Sequence, residues 1–221
     1  MKTEIKETLI SMSEEKYKSF SSSIIPNVSK DSVLGVRVPI LRNFAKDLKI
    51  QDFCEYNFEY HEEKLLYAFV ISDIRDFEIC ISETERFLPL IDNWAVCDSF
   101  RPKCFSKNYK KLFPYIIKWL KSDEVYTIRF AIGMLMTHFL DSAFDKSQLE
   151  IVSKIKSDQY YLNMMISWYF ATALAKQYTA TLPYIEEKRL PLWVHNKVIQ
   201  KARESHRIDN KTKDYLKELK L

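Results

Sequence analysis

Four residues in this chain are of the kinds that chemistry at a cationic centre needs: Trp94, Asp98, Arg129 and Trp168. A carboxylate can stabilise developing positive charge or orient a water nucleophile. Indole faces attract cations through their quadrupole. An arginine can hold the carboxylate or grip a phosphate. Together they suit a cationic transition state beside a polyanion, and hydrolysis of an N-glycosidic bond has such an oxocarbenium-like state. Asp98 sits in the apolar run Ala95-Val96-Cys97-Asp98-Ser99-Phe100, where a carboxylate needs a partner or a function. The same residues also read as core, because large aromatics at helical spacing usually pack inside and an Asp–Arg pair can be a simple inter-helix salt bridge. Spacing alone leaves both readings open.

The elements that would position them are helices. Ser122-Asp123 with Tyr126 recurs as Ser157-Asp158 with Tyr161, each pair followed by an apolar-rich helix, over 125–140 and then 160–176. Asp92 opens a third candidate. Aspartate is a good N-cap, so Asp92, Asp123 and Asp158 are expected to start the three helices. Counted from those caps, Trp94 is at plus 2, Asp98 and Arg129 at plus 6 and Trp168 at plus 10. Steps of four keep one helix face, so the four residues are expected to line one side of a stack of equivalent helices. Helix pairs recurring at about 30–47 residues are the mark of helical solenoids. The expected fold is an all-α, HEAT-like solenoid forming a single domain over 1–221.

Composition excludes much else. There are only two glycines, Gly35 and Gly133, so no phosphate-cradling loop or dinucleotide fingerprint can be built, and no Asn-Gly or Asp-Gly hairpin turn occurs. Cys54, Cys80, Cys97 and Cys104 show no CxxC spacing and His61, His138, His195 and His206 are scattered, so no metal site is expected and the thiols read as reduced, mostly core residues. No window approaches 18 consecutive apolar residues, and the charged, amphipathic first 15 residues do not resemble a signal peptide, so a cytoplasmic, monomeric protein is expected. Net charge is only +4, but it is unevenly spread. Seven basic and no acidic residues lie between Arg101 and Lys121, and six basic residues face only Glu204 between Lys188 and Arg207. Such clustering suits a polyanion partner, although charge runs are more often solvated helix faces.

Along the chain, a first helix is expected from about Lys2 to Phe20, ended by Ser21-Ser22-Ser23 and Pro26. Pro39 suits a first helical turn, with Leu41, Phe44, Ala45 and Leu48 at helical period behind it. Pro89, Pro102, Pro114, Pro183 and Pro191 are each expected near the start of a helix.

At this point the residues resemble a known family, the AlkD-type DNA glycosylases of HEAT-like alkylation repair. Four stretches carry the resemblance: 35–42 (GVRVPILR), Asn93-Trp94-Ala95-Val96-Cys97-Asp98, Ile128-Arg129-Phe130-Ala131-Ile132 and Ile166-Ser167-Trp168. It implies a C-shaped solenoid with a basic concave cleft that grips duplex DNA and excises cationic alkylated purines, of the 3-methyladenine and 7-methylguanine type, without flipping the base. By that resemblance Asp98 would stabilise the oxocarbenium sugar and position water, Trp94 and Trp168 would pack on the sugar and cradle the cation, and Arg129 would orient Asp98 or hold a phosphate. No cofactor is implied. Lys103, Lys107, Lys110, Asn163, His195, Lys197 and Lys201 are expected to contact DNA; the alternative for His195, Asn196 and Lys197 is a capping helix with a solvated face, and for Asn163 a bond to buried backbone. Two departures stand out. Asn93 replaces a large aromatic, and Leu135-Met136-Thr137 and Tyr169-Phe170-Ala171 carry no charge where the family's best-studied type has basic residues. The alternative function is a non-catalytic HEAT-like scaffold for nucleic acid or protein.

Overall fold

In the computed structural model, residues 2–221 are described; they form helices and connecting segments, with no β-strand among them. The chain packs as two compact units, Met1–Asn108 and Tyr109–Leu221.

The first unit holds α1 (Lys2–Ser11), α2 (Glu15–Ile24), α3 (Val38–Phe44), α4 (His61–Ser72), α5 (Phe77–Phe87) and α6 (Trp94–Ser99), with one 3-10 turn between α2 and α3, two between α3 and α4 and one between α5 and α6. Its centre is α4, which packs against α3, α5 and α6 and is buried on all sides except at Lys64. The sequence explains this: Leu65-Leu66-Tyr67-Ala68-Phe69-Val70-Ile71 is apolar right round the helix, the pattern of an interior helix. α5 is instead amphipathic, burying Phe77, Cys80, Ile81, Thr84 and Phe87 at three- and four-residue steps. Pro39 lies in the first turn of α3, as its missing N–H favours.

The expected first helix is in fact two. It breaks at Met12–Glu14, because the Glu14 N–H leaves the helix and donates to the Gly35 carbonyl at 3.1 Å. Gly35 has φ +87, and a Cβ there would lie 2.5 Å from the Lys18 nitrogen, so only glycine allows this approach. Ser21-Ser22-Ser23 does not end the helix. Ser22 and Ser23 donate their hydroxyls back to the Lys18 and Phe20 carbonyls, and α2 runs on to Ile24.

The second unit holds α7 (Tyr109–Trp119), α8 (Val125–His138), α9 (Lys146–Ser153), α10 (Tyr160–Lys176), α11 (Tyr178–Thr181), α12 (Pro183–Glu186), α13 (Leu192–Glu204) and α14 (Asn210–Glu218). Here the helices stack in sequence: α7 on α8, α8 on α10, α10 on α13 and α13 on α14. α10, lying between α8 and α13, buries residues on every side, and each large apolar side chain so buried contributes about 1.5–3 kcal/mol. Pro183 and Pro191 stand at helix starts, whereas Pro114 lies inside α7, which tolerates one missing N–H because Leu112, Ile116 and Trp119 anchor its inner face.

The three aspartates are not the caps. Asn93 caps α6, its side-chain oxygen accepting from the Val96 N–H at 3.1 Å. Before α8 and α10 the serines of the repeat do the local work: Ser122 Oγ accepts from the Glu124 N–H at 3.1 Å and Ser157 Oγ from the Gln159 N–H at 3.0 Å. The N-cap position therefore lies one residue after the expected aspartate, by the same shift in all three helices. Trp94 is the first residue of α6, Asp98 and Arg129 the fifth of α6 and α8, and Trp168 the ninth of α10, so their relative phase is the one read from the sequence.

Candidate functional site

Of the four residues, Trp94 and Asp98 belong to the first unit and Arg129 and Trp168 to the second. Within the first unit Trp94 and Asp98 come together, one turn apart on α6, on the wall of a cavity of about 220 Å³. Tyr17, Ile24, Val36, Val38 and Leu65 supply its apolar lining. Both residues are half-buried, so neither is sealed in the core. The Trp94 indole N–H donates to the Ile24 carbonyl at 3.1 Å, which fixes its ring against the end of α2.

The support beneath α6 is a buried polar cluster. Asn93 is fully buried; its Nδ2 donates to Asp92 at 2.7 Å and lies 3.3 Å from His61 Nδ1. Lys64 holds the other carboxylate oxygen of Asp92 at 2.5 Å. Burial keeps the His61 imidazole below its ordinary pKa, against the opposing pull of Glu62 and Asp92. A neutral His61 can accept from Asn93. At the other end of α6, Arg101 donates to the Cys97 and Phe100 carbonyls at 3.3 and 3.0 Å, so this member of the basic stretch caps the helix.

Glu62 shapes the opposite wall. Its carboxylate, 2% exposed, accepts from the backbone N–H groups of Leu34, Gly35 and Val36 at 3.0, 2.7 and 3.3 Å. Three amides and the N-terminal turn of α4 together stabilise the charge there. The Gly35-to-Arg42 motif is thus a wall held by a carboxylate 26–28 residues downstream. Sequence reasoning missed Glu62 and His61. Four charged or polar residues, His61-Glu62-Glu63-Lys64, opening an otherwise apolar helix after Tyr60 were the available signal.

In the second unit Arg129 is 5% exposed and donates to the Tyr161 carbonyl, tying α8 to the first turn of α10. Trp168 is 43% exposed, the one large apolar residue in the middle of α10 that the neighbouring helices leave open. It lines a groove of about 630 Å³ whose charged members are Lys176, Lys201, Glu204 and Arg207. Lys201 Nζ stands 5.9 Å from the Trp168 ring centroid. The basic residues beside Trp168 thus come from the end of α10 and from α13 onward, not from the uncharged stretches after Arg129 and Trp168.

The other expected DNA contacts divide. Lys107 and Lys110 are exposed, and Lys103 is exposed in an ion pair with Asp73 at 2.5 Å. Lys197 is half-buried, donates to Gln200 at 2.8 Å and stands 5.4 Å from the Trp193 ring. His195 is corrected outright. It is fully buried, and its Nε2 pairs with the Leu219 carbonyl at 2.9 Å, so it docks the C-terminal segment and cannot meet a phosphate. Asn163 donates to the Ser157 carbonyl at 2.8 Å, closing the turn before α10.

The family model of the DNA alkylation repair enzymes matches residues 5–206. The chain belongs to this family. The match extends over most of both units and includes Trp94, Asp98, Arg129 and Trp168. A comparison with curated proteins gives no match. Membership makes this a DNA repair protein, and an enzyme acting on alkylated DNA. Among the described residues no group of three His, Cys, Asp or Glu side chains is placed to hold a metal ion, and no helix is long and apolar enough to cross a membrane. The four cysteines are free thiols, with Cys54 exposed and the others buried.

Proposed function

We propose that this member of the DNA alkylation repair family is a monofunctional glycosylase that hydrolyses the N-glycosidic bond of cationic alkylated purines, of the 3-methyladenine and 7-methylguanine type, in duplex DNA. The observation that carries the reading is Asp98: a half-buried carboxylate beside an indole on the wall of an open, largely apolar cavity, in a chain that matches an alkylation-repair family. An alkylated purine already bears the positive charge that makes it a good leaving group. Breaking the C1′–N bond returns the electron pair to the base, which departs neutral, and leaves an oxocarbenium sugar. Asp98 stabilises that cation and orients the water that adds to C1′; the proton that the water gives up passes to solvent. No cofactor is needed for these steps.

In this proposal Trp94 packs on the sugar and Trp168 cradles the cationic base, both through their indole faces. Arg129 holds a phosphate. Lys103, Lys107, Lys110, Lys197 and Lys201 grip the DNA backbone, and the lesion is excised without being flipped into a pocket. The test is release of free base from duplex DNA containing 7-methylguanine. Asp98→Asn should slow release by roughly 10²–10³-fold, the usual cost of losing a group aimed at transition-state charge. Salt-dependent DNA binding with no base released by the folded wild-type protein would leave the non-catalytic scaffold in its place.

A further inference from the structure

The second unit has a second aromatic platform that the excision chemistry does not use. Trp193 and Tyr160 are exposed, at 41% and 54%, and meet edge to face with ring centroids 5.6 Å apart. They stand at the starts of α13 and α10, where the two helices pack side by side. Lys197 lies one turn after Trp193 with its ammonium 5.4 Å from the indole centroid, and Lys201 follows one turn later beside Trp168. Trp193 and Lys197 open onto a groove of about 820 Å³, whose other charged members are Arg203, Lys220 and a single acid, Glu204. Gln200 donates to that acid at 2.9 Å.

Trp193 and Lys197 on this groove and Trp168 and Lys201 on the neighbouring one set aromatics beside lysines along α10 and α13, the pattern of single-strand binding, in which rings stack on bases and cations follow the phosphates. We propose that Trp193, with Tyr160 at its edge and Lys197 above it, is a stacking site for an unpaired nucleobase, so that this groove takes single-stranded DNA. The occupant follows from the charge and from the ring. Three cations, Lys197, Arg203 and Lys220, outnumber the one acid, which favours a polyanion. An indole held at an exposed helix start, edge-on to a tyrosine, offers its face to any base without reading its sequence. Lys197 moves from the ring to a phosphate as the base takes its place. Tyr160 and Trp168 are eight residues apart on α10, about 12 Å along the helix, so a stacked strand of roughly three to four nucleotides joins this platform to the Trp168 groove. The inference rests on the proposed DNA-binding role but not on the excision chemistry.

The test is fluorescence anisotropy with a dye-labelled twelve-nucleotide oligothymidine and a duplex of equal length, on the full chain at fixed salt. The wild type should bind the single strand. Trp193→Ala should lower the ratio of single-strand to duplex affinity by roughly 5- to 150-fold, the usual effect of losing one base–aromatic stack. Trp193→Phe should keep most of that ratio, and Tyr160→Ala should lower it by less than Trp193→Ala. A wild type that does not bind the single strand overturns the proposal. So does a ratio unchanged in Trp193→Ala, whether both affinities fall or neither does, and so does a loss in Trp193→Phe as large as in Trp193→Ala. All these readouts are affinities, so absence of base release would count against the excision chemistry alone.

Discussion

Replacing Glu62 should unfasten one wall of the Trp94–Asp98 cavity. Its carboxylate is the acceptor for three consecutive backbone N–H groups, two of which, on Gly35 and Val36, are buried while that of Leu34 is partly wetted. In Glu62→Ala the two buried amides lose their partner, at about 1–3 kcal/mol each, while the Leu34 amide recovers water at little cost. The Val36 bond is long at 3.3 Å and contributes least, so the expected loss of stability is about 2–5 kcal/mol. Glu62→Gln keeps one oxygen for Gly35 and Val36 and turns an amide NH₂ towards the Leu34 N–H, so it should cost about 1–2 kcal/mol. Urea unfolding with equal m-values for the three proteins measures both. A Glu62→Ala protein less than 1 kcal/mol below wild type would refute the fastening. Equal losses in the two variants would show that charge, not acceptor geometry, matters there. Because the same loop carries Val36 and Val38 into the cavity, base release should fall in step with stability across the pair.

Asn93→Ala removes the cap of α6 and the partner of His61, and should lower stability by about 1–2 kcal/mol in thermal melts; Asn93→Asp, which keeps an acceptor for the Val96 N–H, should recover part of it. Burial holds the folded His61 pKa below its unfolded value, so the unfolded chain takes up the proton first. Its contribution to stability is therefore complete above the ordinary histidine pKa of about 6.5 and is lost as pH falls through and below it. Urea midpoints at pH 8 and pH 5 should diverge more in wild type than in His61→Gln. His195→Leu leaves the Leu219 carbonyl without its partner and should cost about 1–2 kcal/mol, with the salt dependence of duplex binding unaltered; a shallower salt slope would return His195 to the phosphate contacts.

Much of this was legible along the chain. The near-absence of glycine and the 3.6-residue period gave an all-helical protein, and the long apolar helices over 125–138 and 160–176 begin and end close to where composition places them. The phase of Trp94, Asp98, Arg129 and Trp168 within their helices could also be read, because spacing within a helix is a local property that survives a uniform one-residue shift of the caps. What a helix face meets is not local. His195 and Lys197 lie two residues apart in one basic-looking stretch. Yet α14 and the residues after it cover the first, while the second stays beside an open groove. Glu62 reads as a surface acid at a helix start until three amides from a loop 26–28 residues earlier arrive to surround it. The N-terminal helix breaks where a glycine far along the chain offers its carbonyl. The sequence thus determined which elements form and which side chains share a face. Only tertiary packing decided which of those faces stay open to a ligand, because burial and hydrogen-bond partners come from segments that periodicity cannot see.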